Sequence, residues 1–323
     1  MKAIQISAFG GPEVLKLIDA PVPEPGPKEI LVKIEVAGIN FADIYWRRGV
    51  RGGEPPMGCG AEGAGTVAAV GSEVADFKEG DRVAYWYPKI GAYAEYALCP
   101  DFRLVKIPDD MDYGSAAALM LQGLTAHYLI RSSPEVKAGE TILFHAGAGG
   151  VGQVAVQIAK AQGSTVFVTV GNEEKAAFAK SIGADEAILY DQVDFAEATR
   201  ELTGGDGVHV VYDSIGKTTW ETSLKALRTR GTVVYFGLAS GPIPEMDLGI
   251  LARMGSLSLI RTTLKDFVRD KEEITWRASE MFDLWQAGKL KIKIGETYPL
   301  EEAAQAQADM EARRTSGKLL LTP

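Results

Sequence analysis

The chain has 323 residues, 46% of them hydrophobic, and a formal net charge of −9. It is longer than an average domain and can bury a large core, and its acidic balance argues against a general nucleic-acid or anionic-membrane surface, because phosphate backbones attract basic patches. With only Cys59 and Cys99, a disulfide framework is not expected, and a reducing cytoplasmic compartment fits.

The opening residues 1–7 read as a strand and lack the apolar region and cleavage site of a signal peptide. Alternating runs at 29–36, 65–70, 81–87 and 92–98, separated by Gly- and Pro-containing turns, predict a compact antiparallel β domain. Pro21, Pro23, Pro25 and Pro27 make a stiff loop between strands. The apolar stretch 116–130 is short and carries Gln122 and His127, which marks it as a buried helix rather than a membrane span.

Residues 141–152, Thr-Ile-Leu-Phe-His-Ala-Gly-Ala-Gly-Gly-Val-Gly, are the most informative feature. An apolar run enters a glycine cluster, and an amphipathic stretch with Val151, Val154, Ala155, Ile158 and Ala159 on one face leaves it, which reads as strand, turn and helix. Gly147, Gly149, Gly150 and Gly152 remove the Cβ atoms that would hold a pyrophosphate away from the helix N-terminus, where free N–H groups favour anions. Strand candidates follow at 165–170, 186–190, 208–213, 231–237 and 257–260, with helical segments near 173–182, 192–202 and 218–228. About six strands with short crossovers predict an α/β doubly wound parallel sheet over 125–263, with its ligand crevice at the carboxyl ends of the strands.

The second strand ends Thr169-Val170-Gly171-Asn172, without the carboxylate that would accept hydrogen bonds from an NAD ribose. Glu173 and Glu174 suit the first turn of the next helix, Lys175 supplies a cation within reach of a 2′-phosphate, and Tyr190 adds a donor. The balance favours NADP(H). Beyond about residue 264 come a helix at 272–287, a short run at 291–294, a helix near 301–312 and a final strand at 318–321, a segment expected to pack back on the first domain.

These motifs, taken in order, carry a family resemblance. Residues 10–15 (GGPEVL), 38–43 (GINFAD), 80–83 (GDRV), 122–126 (QGLTA), 145–152, 211–216 (VYDSIG) and the ending around Arg313 resemble the zinc-independent, zeta-crystallin-like quinone oxidoreductases of the medium-chain dehydrogenase/reductase superfamily. The resemblance implies a GroES-like, mainly β catalytic domain (1–124, completed by 264–323), an intervening Rossmann domain (125–263) and a homodimer. In zinc-dependent members a metal-binding cysteine aligns with Asn40, and a Gly-His-Glu pattern stands where this chain has Gly60-Ala61-Glu62. Two cysteines cannot supply a four-cysteine structural site, and His127, His145 and His209 lack metal-motif spacing, so no zinc is expected.

By motif position, Asn40, Phe41, Ala42, Asp43, Ile44 and Tyr45 are expected on the nicotinamide side, with Asn40 and Tyr45 positioning substrate and nicotinamide. Gln122 and Thr125 are expected near the cofactor phosphates at an interdomain cleft, and Gly147, Ala148, Gly149, Gly150 and Val151 around the pyrophosphate. Gly171, Asn172, Lys175 and Tyr190 would surround the adenosine and its 2′-phosphate, and Ser214, Phe236, Gly237 and Leu238 the later strand ends. Arg261 and Arg313 would close over the cofactor, with Arg314 as the adjacent alternative. Reducing an aldehyde benefits from a Lewis acid, whereas a quinone accepts hydride to give a phenolate-like anion whose conjugate acid has a pKa of about 10. The sequence therefore predicts an NADPH-dependent quinone reductase. The alternatives are an NADPH-dependent reductase of α,β-unsaturated ketones or aldehydes and, in another class, a non-catalytic nucleotide-binding crystallin-like or RNA-binding protein.

Overall fold

Residues 1–88, 91–312 and 314–323 are described by a computed structural model. Inward-facing Ile4 and Ile6 alternate with more exposed neighbours along β1 (Lys2–Ile6), the period-two pattern of a half-buried strand. β1 pairs antiparallel with β2 (Leu15–Asp19) and β4 (Met57–Gly58). The long β3 (Glu29–Ile39) organises a second sheet, pairing antiparallel with β5 (Glu62–Val70) and β7 (Tyr96–Pro100); β6 (Arg82–Trp86) joins β5, and β8 (Leu104–Lys106) joins β6. Helix α1 (Phe41–Arg47) leaves the end of β3, and α2 (Tyr113–Ala118) runs into a π-helical turn, Leu119–Gly123. Residues 92 and 93, read from the sequence as strand, are buried coil preceding β7, because Gly60 and Cys59 accept their backbone N–H groups outside the ladder.

The chain divides into two compact units: Met1–Leu124 with Val268–Gln286 and Ile292–Pro323, and Thr125–Phe267 with Ala287–Lys291. The second unit begins within α3 (Leu124–Arg131) and contains a six-stranded, all-parallel sheet. In chain order its elements are β9 (Thr141–His145), α4 (Gly150–Ala161), β10 (Thr165–Val170), α5 (Glu173–Ser181), β11 (Glu186–Leu189), α6 (Phe195–Leu202), β12 (Val208–Asp213), α7 (Trp220–Lys225), β13 (Leu227–Tyr235), α8 (Gly249–Arg253) and β14 (Ser258–Arg261). The sheet order β11-β10-β9-β12-β13-β14 reverses beside β9, the switch point at which a doubly wound sheet forms its crevice. The helix expected at 218–228 is shorter, because buried Leu227 already pairs with Val208 as the start of β13.

The returning segment supplies α9 (Lys271–Gln286), β15 (Ile294–Pro299), α10 (Ala303–Glu311) and β16 (Lys318–Thr322). β16 pairs parallel with β15 and antiparallel with the end of β3, so the last residues lie inside the first unit's sheet. The first unit's core joins Ile6, Ile30, Ile39 and Val83 to Leu300, Ala306 and Leu321, and Cys59 and Cys99 lie buried within it as free thiols. Burial pushes both thiols well above the usual cysteine range. Among the described residues no helix is long and apolar enough to cross a membrane.

Two glycines of the turn after β9 are required by close approach. A Cβ on Gly147 would lie 2.4 Å from Val168 Cβ, and one on Gly152 would lie 2.4 Å from the Ala146 carbonyl oxygen and 2.7 Å from Gly147 Cα. Ala146 itself has φ +56°, so this turn is already strained and cannot give way cheaply. Gly152→Ala is expected to destabilise the protein by about 1–3 kcal/mol through overpacking against backbone. Scanning calorimetry should show a lowered melting temperature, and an unchanged one would contradict this packing.

Candidate functional site

Helix α1 has one buried and one accessible side. With 3.6 residues per turn, positions 40, 43, 44 and 47 fall on one side of the helix and 41 and 45 on the other. Asn40, Asp43, Ile44 and Arg47 are buried at 0–2% exposure, while Phe41 is 41% exposed and Ala42 and Tyr45 are half-buried. Of the six residues placed on the nicotinamide side, the side chains of Asn40, Asp43 and Ile44 turn inward, and Phe41, Ala42 and Tyr45 remain accessible. The Arg51 guanidinium lies 5.9 Å from the Tyr45 ring centroid.

The inward side chains form a dense polar knot. Asn40 Nδ2 donates to Glu62 Oε1 (2.7 Å), and Asn40 Oδ1 accepts from Lys318 Nζ (2.9 Å) and Gln122 Nε2 (3.0 Å). Lys318 also donates to the Ile39 carbonyl (3.1 Å) and forms an ion pair with Glu62, both side chains being fully buried. The second Glu62 oxygen accepts from the Leu121 amide at the π-helical turn (2.5 Å). The two positions that carry cysteine and histidine in zinc-dependent members are thus a hydrogen-bonded asparagine and a buried alanine, and the neighbouring carboxylate is paired with an ammonium. Among the described residues no group of three or more His, Cys, Asp or Glu side chains could hold a metal.

Asp43 lies beside this knot. Its Oδ2 accepts from the Asn40 amide (2.8 Å) and the Tyr93 hydroxyl (2.9 Å), while Oδ1 is buried without a hydrogen-bond partner among the described residues. Burial raises the carboxyl pKa from 3.8 to about 7, outweighing the two hydrogen bonds that favour the charged form. At the far end of α1, Arg47 donates to Gln307 Oε1 (2.7 Å), Glu311 Oε2 (2.7 Å) and the Gly10 carbonyl (3.2 Å), tying α1 to α10. Lys318, Arg47, Tyr93 and Gln307 were not singled out by sequence reasoning. The one available signal was a lysine opening the apolar run Lys318-Leu319-Leu320-Leu321.

In the second unit the glycine turn ends β9 and opens α4 over Gly147, Ala148, Gly149, Gly150 and Val151. The N-cap Gly149 offers no side-chain cap, which leaves first-turn N–H groups open to an anion. By contrast, Asn172 caps α5 by accepting the Lys175 amide (2.9 Å), and the Lys175 side chain itself makes no ion pair or hydrogen bond among the described residues. Gly171 and Tyr190 stand together: a Cβ on Gly171 would be 2.8 Å from the Tyr190 hydroxyl, and Tyr190 is 47% exposed. Gly237 is closer still to Ser214, whose carbonyl oxygen would lie 2.5 Å from an added Cβ, with Phe236 and Leu238 on either side. Arg261 is exposed, and one guanidinium nitrogen donates to the Tyr235 and Thr262 carbonyls (2.9 Å each). Thr125 is buried in α3. Arg313 lies outside the described residues, and Arg314 pairs with Asp309 (2.5 Å).

Beneath these strand ends runs a buried relay. Ser223 Oγ and Thr219 Oγ1 donate to Asp213 Oδ2 (2.8 and 2.7 Å), and Asp213 Oδ1 accepts the Ile215 and Gly216 amides (2.7 and 3.0 Å). Because Ser223 spends its proton on Asp213, it accepts from His145 Nε2 (3.0 Å), which leaves Nδ1 to accept from Thr169 Oγ1 (2.8 Å). Burial holds His145 below the ordinary histidine pKa, so the ring is neutral. The relay fixes the turn containing Ser214 to the ends of β9 and β10.

The profile of the alcohol dehydrogenase GroES-like domain matches residues 26–109, and that of the zinc-binding dehydrogenase matches residues 150–281. A quinone oxidoreductase of Pseudomonas aeruginosa is 48% identical over 100% of this chain and 99% of its own length. The chain belongs to the quinone oxidoreductase family. An Escherichia coli quinone oxidoreductase solved in complex with NADPH superposes with a TM-score of 0.98 at 41% identity, covering 100% of both chains. The family also adjoins other reductions: a 2-haloacrylate reductase from a Burkholderia species is 42% identical over 99% of this chain and 98% of its own length.

Asp43 gives the first unit a measurable pH signature. An acid whose pKa is higher in the folded than in the unfolded state binds its proton more tightly when folded, so its contribution to stability falls as pH rises from about 4 to about 7 and is level above that. Asp43→Asn keeps an acceptor for Tyr93 and the Asn40 amide but cannot ionise. Thermal unfolding should show the variant gaining stability relative to wild type across that window, and a pH-independent difference would contradict a raised Asp43.

Proposed function

We propose that this protein is an NADPH:quinone oxidoreductase that transfers hydride to a quinone without zinc. The observation that carries the reading is full-length likeness to proteins named quinone oxidoreductase, one of them solved with NADPH. The residues fit that cofactor: the uncapped start of α4 and the glycines beside it leave room and donors for a pyrophosphate, and no carboxylate stands at the tip of β10.

When bound, NADPH supplies the hydride; the chain supplies binding and orientation. Gly147 to Val151 hold the pyrophosphate through backbone N–H groups, with Gln122 and Thr125 assigned to the cofactor phosphates by motif position. Lys175 and Tyr190, flanked by Gly171 and Asn172, read the 2′-phosphate and adenosine. Ser214 and Phe236 to Leu238 border the ribose, with Arg261 closing over it. Asn40, Asp43 and Ile44 hold α1 in place, and Phe41, Ala42 and Tyr45 face the acceptor. Tyr45 orients a flat, electron-poor ring, and solvent protonates the stabilised product anion. The 2-haloacrylate reductase relative supports a second reading, reduction of activated C=C bonds. We place the protein in the cytoplasm, from its two buried free thiols and acidic charge, and as a homodimer, from its family.

Losing Lys175 removes a charge-assisted contact of about 1.5–3 kcal/mol, so Lys175→Ala should weaken NADPH roughly ten- to a hundredfold and NADH little. Titrating both cofactors checks this, and equal losses would sink the 2′-phosphate assignment.

Steady-state oxidation of NADPH, measured after exhaustive chelation, should be efficient with a small quinone and poor with a simple aldehyde. Tyr45→Phe should retain quinone turnover, with its main cost in KM. Aldehyde reduction without quinone activity would overturn the function, and enone activity alone would favour the second reading. Loss of all turnover in a folded Tyr45→Phe that still binds NADPH and quinone would make Tyr45 an obligatory acid.

A further inference from the structure

The end of the parallel sheet away from the glycine turn holds a cleft of about 400 Å³ inside the second unit. Its walls include Glu135, Glu140, His209, Arg228, Thr229 and Arg230. Three features there have no part in the reaction described above.

The first is a break in the ladder. Val208 pairs with Leu227 but Val210 pairs with Thr232, so the residues from Arg228 to Gly231 bulge out opposite His209. Extra residues inserted on one strand of a pair interrupt its ladder and re-aim its side chains. The second is conformation: Arg230, inside the bulge, has φ +63°, a left-handed backbone that a long side chain rarely adopts without a reason. Its exposed guanidinium makes no ion pair or hydrogen bond among the described residues.

The third is a surplus of donors. His209 Nδ1 accepts the Thr141 amide N–H (3.1 Å), so a neutral ring carries its proton on Nε2. Arg228 Nη1 stands 2.7 Å from that same Nε2. The other tautomer moves the conflict to the Thr141 amide, and a protonated ring makes two conflicts. Every protonation state leaves donor facing donor, so the cluster lacks an acceptor. The neighbouring carboxylates do not supply it: Asp206 pairs with Arg228 at Nε (3.6 Å), Glu140 accepts the Lys137 amide (2.8 Å), and Glu135, also on the wall, makes no hydrogen bond or ion pair with His209 or Arg228.

We propose that this cleft is a binding site for a phosphate group, free or carried on a small metabolite, seated between His209 Nε2, Arg228 and Arg230. A tetrahedral oxyanion offers several acceptors, matches guanidinium donors bidentately and resolves the donor conflict. The volume lies in the range of small-molecule sites, leaving room for a substituent on the phosphate.

The test is a titration of the NADPH-saturated protein, so that the cofactor's own phosphate subsites are filled, at constant ionic strength balanced with sodium chloride. Ring ¹⁵N resonances are followed, with His209→Gln assigning the His209 signals. Inorganic phosphate and phenyl phosphate should each shift the His209 Nε2 resonance saturably, and Arg228→Gln or Arg230→Gln should weaken binding by at least tenfold without changing quinone turnover. Tighter binding of phenyl phosphate would point to a phosphorylated metabolite, and equal binding to free phosphate. A shift that does not saturate, is reproduced by chloride or survives unchanged in both arginine variants would overturn the site and leave only solvent in the cleft.

Discussion

The first unit depends on a charge pair sealed from water. Lys318 and Glu62 are both fully buried, about 256 residues apart in sequence, and the Asn40 side chain bonds to each. Taking two ions out of water is costly, and the cost is recovered only when every donor and acceptor is met; removing one partner alone typically costs about 3–5 kcal/mol. Here the ammonium has three acceptors, and the carboxylate is met by Lys318, Asn40 and the Leu121 amide. The pair therefore ties β16 to the end of β3, and it joins the start of α1 and the π-helical turn at the same point.

The Rossmann unit solves a related problem without net charge on its histidine. Strands β9, β10 and β12 lie side by side, and at or next to their ends stand the buried polar side chains of His145, Thr169 and Asp213. The chain from Thr169 through His145 and Ser223 to Asp213 satisfies each group in turn, and Asp213 passes the order on to the backbone of the following turn. A fully satisfied polar network of this type rigidifies its surroundings. Rigid strand ends hold the glycine turn and Ser214 in fixed relation within that unit.

Much of this architecture is legible in the sequence because its signals are local. The glycine turn announces itself by composition, β9 by its apolar run and α4 by its 3.6-residue stripe. The expectation of NADP(H) over NAD(H) comes from which residue ends β10. Tertiary pairing is not local, and there the reading weakens. Nothing near Lys318 in sequence says that its charge is buried, because the partner is Glu62 and the covering strands come from elsewhere. The inward turn of Asn40 and Asp43 escapes motif comparison for the same reason: a motif marks positions as belonging together but not which way each side chain points. The shortened α7 shows a further limit, since helical periodicity at 218–228 loses to the ladder that captures Leu227.

The two thiols carry a consequence for life among electrophiles. Quinones and haloacrylates alkylate soft nucleophiles, and the thiolate is the softest that a protein offers. Cys59 is 1% exposed and Cys99 fully buried, and burial keeps both protonated. Towards compounds of this kind the chain exposes no thiolate to attack, so it escapes the arylation that inactivates proteins bearing surface cysteines.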